Sequence, residues 1–113
     1  MEHPVTAAWG VRMTRADLEK LKVGFQPMDM EDRWMCSADE PDQQGNIVVH
    51  WCRSWTGSKE IDLHVNRLED GGAEIVEITW DKKSGGIQVS EAQAKELATQ
   101  LSRGLLGCEW STT

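Results

Sequence analysis

The sequence predicts a single α+β domain: a four-stranded antiparallel meander with a short N-terminal helix and a C-terminal helix packed on one face. Three observations carry this. Segments with helical apolar spacing and side-chain caps flank the middle of the chain. Between them, short runs rich in β-branched and aromatic residues are set apart by turn-forming residues. Consecutive strands with short connections pair antiparallel rather than forming βαβ units. A chain of 113 residues fits one domain, 1–113, and can bury a core without staples.

The first element begins at Thr14; none is assigned ahead of it. In "TRADLEKLKV", Thr14 with Asp17 three positions on resembles a capping box, and Leu18 and Leu21 share a side. Gly24 stops this helix, predicted over 14–22. Pro27 keeps the following connector irregular. "RWMCSA" from Arg33 reads as the first strand, and "DEPDQQGN" from Asp39 as a loop. "IVVHWCRSW" from Ile47 is the strongest strand signal. "EIDLHVN" from Glu60 alternates, with Ile61, Leu63 and Val65 on one side and Glu60, Asp62, His64 and Asn66 on the other. "LEDGG" makes a turn. "AEIVEITW" is the fourth strand, with Val76, Ile78 and Trp80 placed on one face. Ser90 and Gln93 form a second capping box, and Gly104 or Gly107 ends the helix it opens. Ala94, Leu97, Ala98, Leu101 and Leu105 line one stripe of that helix; its leucines are predicted to pack on Ile61, Leu63 and Val65.

Charge and cysteine usage narrow the function classes. The net charge is −7, and the twelve Lys and Arg are scattered. Duplex nucleic acid and anionic membranes, which need a basic face, are disfavoured as partners. A small anionic ligand is still allowed, since one arginine in a pocket suffices. The three cysteines and the absence of a signal-peptide pattern in "MEHPVTAAWG" argue for a cytoplasmic protein with reduced thiols. No apolar window is long enough to span a bilayer. Six tryptophans beside one phenylalanine and no tyrosine imply that some indoles lie at a groove or interface.

Residues His50 to Gly57, "HWCRSWTG", concentrate the candidate chemistry. Period two places Val49, Trp51, Arg53 and Trp55 on one strand face and Val48, His50, Cys52 and Ser54 on the other. A guanidinium between two indoles gains ~0.5–2 kcal/mol per stacking contact. Such a row suits a planar anionic ligand or a protein hot spot. Ser54, Thr56 and Gly57 add hydroxyls and close backbone approach. The competing reading is structural: such ladders also stack only on each other.

The segments "DMEDRWMC" and "HWCRSWTG" resemble a pattern in small, mostly uncharacterised microbial proteins. These carry a "(D/E)DRW" or "(D/E)DKW" segment and then an aromatic strand ending "HRSWTG". The match spans Glu31–Trp34 and Arg53–Gly57; Cys52 stands where the pattern has His. The resemblance implies a shared small α+β fold, and some such modules are associated with ADP-ribose metabolism. It also brings Asp32 beside Trp34 as a carboxylate that could orient Arg53.

Other chemistry is weaker. His50 and Cys52 share a strand face, the minimum for thiol catalysis, and Cys36 and His64 on neighbouring strands could complete a zinc set. No Cys-x₂-Cys exists, and Arg53 directly after Cys52 cannot close a phosphatase loop. No metal and no cofactor is expected. Asp29, Glu31, Asp32, Asp39, Glu40 and Asp42 lack calcium-loop spacing and read as solvated. "DGG" and "SGG" do not lead from strand to helix, as a phosphate loop must.

The expectation is therefore a non-catalytic binding module. Its ligand or partner site is Trp34, Trp51, Arg53, Ser54, Trp55, Thr56, Gly57 and Asp32, and it is a monomer or homodimer. A protein partner is preferred over a small nucleotide-like ligand. The alternatives are an enzyme acting on an ADP-ribose-type conjugate, with Glu31, Asp32 or His50 beside Arg53, and a structural dimerisation domain.

Overall fold

The chain opens on a strand, not a helix. The computed structural model describes residues 3–26, 33–54, 59–69, 71–84 and 87–110. Its elements are β1 (Pro4–Met13), α1 (Arg15–Val23), β2 (Trp34–Ala38), β3 (Ile47–Arg53), β4 (Lys59–Arg67), β5 (Ala73–Asp81), the two-residue β6 (Lys83–Ser84) and β7 (Ile87–Gln88), and α2 (Glu91–Leu105). The main sheet has five strands rather than four, in the order β1-β5-β4-β3-β2, all antiparallel. Strands β2 to β5 are the meander. β1 adds to it beside β5, so α1 carries the chain from one sheet edge to the other.

One face of the sheet is the core. Ile47, Val49, Trp51, Ile61, Leu63, Val65, Ile75 and Ile78 are buried there, in one cluster with Leu18 and Leu21 of α1 and Ala94 and Ala98 of α2. Both helices thus lie against the same apolar face, giving two layers. The leucine stripe of α2 is displaced from its predicted place: Ala94, Ala98, Thr99 and Ser102 are buried, Leu97 and Leu101 are half-buried, and Leu105 is 39% exposed. In β5 the alternation slips, because Val76 is an extra residue opposite β4, whose His64 and Val65 pair with Glu77 and Ile75, while on the other side both Trp9 and Gly10 of β1 stand opposite it. The slip turns Ile75, not Val76, into the core alongside Ile78 and Trp80.

Caps fix both helices. Gln93 N donates to Ser90 Oγ and Ser90 N to Gln93 Oε1, the reciprocal pair expected for α2. Gly107, at φ +75°, closes its end. At α1, Asp17 N donates to Thr14 Oγ1, but the Asp17 carboxylate does not bond back to the cap. It is 2% exposed, and both its oxygens accept the Glu109 N–H at 3.0 Å, tying the C-terminal segment to the first helix. The outer edge of β2 is covered where Phe25 and Cys36 exchange backbone hydrogen bonds.

Candidate functional site

Strand β3 runs from the middle of the core out to an exposed end, and this gradient splits the predicted tryptophan–arginine row. Trp51 is fully buried, with register partners Cys36 on β2 and Ile61 on β4. It belongs to the core and is removed from the predicted site, because the face it shares with Val49 is the one the helices cover. Arg53, two residues on, is exposed. Its guanidinium carbon lies 4.2 Å from the ring centroid of Trp34, its register partner on β2. Trp34 in turn meets Trp51 edge-on, with centroids 6.5 Å apart and planes at 82°. The arginine therefore stacks on one half-buried indole at the margin of the core. Ser54 is half-buried, and its N–H donates to Arg33 O, carrying the β2–β3 pairing one step further. Asp32, Trp55, Thr56 and Gly57 lie outside the described residues.

Among the described residues no helix covers the opposite sheet face, and it holds a polar set that the tryptophan motif did not point to. Register aligns Ser37, His50, Asp62, Thr79 and Thr6 across all five strands. His50 Nδ1 is 2.6 Å from Asp62 Oδ1, and its Nε2 is 3.0 Å from Asp39 Oδ1. A ring carrying both protons donates to both carboxylates. His64 Nε2 is 3.1 Å from Thr79 Oγ1, which is 2.8 Å from Thr6 Oγ1. The strict alternation of "EIDLHVN" was the signal for Asp62 and His64. Their partners depend on strand register, which no local pattern supplies.

This arrangement bears on the chemical alternatives. His50 faces away from Arg53, so the two do not share a site. Both His50 nitrogens are engaged by carboxylates, which leaves neither to take a proton from Cys52. Cys36 is on the core face and His64 on the open face, so they cannot complete one metal set. Among the described residues no group of three or more His, Cys, Asp or Glu is arranged to hold a metal ion. No described helix is long and apolar enough to cross a membrane.

All three cysteines are free and buried. Burial pushes the thiols of Cys36 and Cys108 up from 9.0 to about 12, and raises that of Cys52 as well. A thiol held protonated is a poor nucleophile. Labelling by a disulfide reagent at pH 8 is expected to be slow in the native protein and fast in denaturant; equal rates would overturn this. The same shifts make the thiols stabilising below pH 9, where folded and unfolded chains alike keep the proton. As pH rises from 9 toward 12 the unfolded chain ionises first, so this contribution is lost.

Set against protein-family models, curated proteins and solved structures, the chain matches none.

Proposed function

We propose that the protein is a small non-catalytic binding module that holds a protein partner at the exposed end of β2 and β3, through Arg53 and Trp34. The observation that carries this reading is the exposed guanidinium stacked at 4.2 Å on a half-buried indole. Arginine and tryptophan dominate binding hot spots, and a side chain already ordered by stacking loses less entropy on association. Arg53 stands exposed at the margin of the core rather than inside an enclosed pocket, which suits a macromolecule better than a nucleotide. The enzyme reading has less support, since His50 stands on the other face. A structural domain that dimerises through its sheet is separated from a hetero-partner module by measuring the oligomeric state and partner capture.

The test is Arg53→Lys. Lysine keeps the charge but loses the planar fork and the stacking. The variant is expected to unfold at an unchanged denaturant midpoint and to bind the partner more weakly by ~1–3 kcal/mol. Affinity capture from source cells, with the wild type and the variant side by side, reads the second effect. A clear loss of stability with undiminished capture would mean that the pair only caps the core. A saturable thermal shift with ADP-ribose, lost in Arg53→Lys, would reassign the site to a nucleotide.

A further inference from the structure

The two edges of the main sheet are unlike. The edge at β2 is covered by the Phe25–Cys36 bridge. At the other edge, β1 has β5 on one side and, among the described residues, no strand on the other. One bond fixes which backbone groups of β1 face outward. Lys82 N donates to His3 O at 2.9 Å, one step beyond the Pro4–Asp81 pair. Bonded and non-bonded pairs alternate along an antiparallel ladder, so Val5 and Ala7 turn their N–H and C=O toward β5. Pro4, Thr6 and Ala8 turn theirs to the outer edge.

Two features single out this edge. Pro4 has no N–H to offer. The carbonyl of Ala8 is already served, because Lys95 Nζ donates to it at 3.2 Å. Lys95 is held there from α2: its Nζ lies 3.2 Å from Glu91 Oε2 and 5.8 Å from the ring centroid of Trp9. Proline and lysine at a sheet edge ordinarily discourage strand addition. A foreign strand laid here would set a carbonyl opposite Pro4 with no donor, and an N–H opposite an acceptor that Lys95 holds. A strand with the same two features, run antiparallel, brings neither mismatch.

We propose that β1 joins a second copy of this chain by antiparallel strand addition about a two-fold axis at Thr6, so that one sheet runs through both molecules. About that axis Thr6 N–H donates to Thr6 O of the second copy, in both directions. Ala8 N–H donates to Pro4 O of the second copy. The remaining position sets Pro4, which lacks the donor, against the Ala8 carbonyl that Lys95 satisfies. No outward group from Pro4 to Ala8 is left unpaired. The side chains agree with this register. On the core face Val5 meets Ala7 of the second copy, and both are half-buried at present. On the opposite face Thr6 meets Thr6, a favourable cross-strand pair. β1 and β2 are opposite edges of the sheet, so this dimer leaves Arg53 and Trp34 open to the partner proposed above. Either reading can hold without the other.

The test is sedimentation equilibrium of the full chain between ~5 and ~500 μM, at constant ionic strength. The average mass is expected to rise reversibly from that of one chain toward that of two, with a micromolar midpoint, since a short strand pair is a small interface. Thr6 is exposed, and Thr6→Lys or Thr6→Glu sets like charges opposite each other across the axis. Each variant alone is expected to associate about tenfold more weakly, and an equal mixture of the two to recover the dimer. Amide exchange reads the same register without substitution: the N–H groups of Thr6 and Ala8 slow as concentration rises, while those of Val5 and Ala7 do not change. A chain that stays monomeric at ~500 μM, a dimer that Thr6→Lys leaves intact, or variants that do not reassociate when mixed would overturn the proposal. Arg53→Lys is expected to dimerise as the wild type does; loss of the dimer there would move the contact to the other edge and overturn it equally.

Discussion

Trp51→Ala is expected to lower the unfolding free energy by about 3–5 kcal/mol, the usual range for a buried tryptophan cut back to alanine. The side chain is the largest of the fully buried ones, at 0% exposure. Its ring meets Trp34 edge-on, and its neighbours across the sheet are Cys36 and Ile61. Removing it leaves a void between sheet and helices that rigid strands cannot close. Trp51→Phe should cost much less. The indole Nε1–H has no partner, so phenylalanine gives up volume but also removes a buried donor that was never satisfied. Denaturant titration of both variants checks the pair of results. Were Trp51 a ligand platform instead, the alanine variant would keep its stability and lose only binding.

That contrast shows what could be read from the chain. Alternation in "EIDLHVN" and the caps at Thr14 and Ser90 are local signals, and the elements they mark are present. Alternation also placed Trp51 and Arg53 on one side of β3. It does not say which side the helices cover, nor where along a strand the cover ends. The two residues are two positions apart on either side of one boundary: Trp51 within it, Arg53 beyond. β1 was missed because Pro4, Ala7, Ala8 and Gly10 are weak strand formers, though Val5, Ala7, Trp9, Val11 and Met13 alternate inward. Asp17 looked like half of a capping box, and its carboxylate serves Glu109 instead, a contact across most of the chain. The Asp39–His50–Asp62 set likewise exists only once β2, β3 and β4 are in register.

Gly24→Ala is expected to be as damaging as the loss of Trp51, although it adds only one methyl group. Gly24 has φ +73° and ψ −163°, a region that residues with a Cβ scarcely enter. A Cβ built there falls 2.3 Å from the carbonyl oxygen of Cys36, which is backbone and cannot rotate away. That same carbonyl accepts the Phe25 N–H at 3.0 Å, in the bridge that covers the edge of β2. Relieving the clash therefore means moving Phe25 off the strand. Backbone strain and overpacking each cost ~1–3 kcal/mol, so the sum is roughly 2–6 kcal/mol. Gly104→Ala is the control. Gly104 lies within α2, and nothing stands within 4 Å of its added Cβ. There alanine should stabilise by about 0.5–1 kcal/mol, the ordinary helix preference. The same chemical change is thus expected to act with opposite sign at two positions, as denaturation midpoints would report. A tolerated Gly24→Ala would mean that α1 and β2 are not joined by this close backbone crossing.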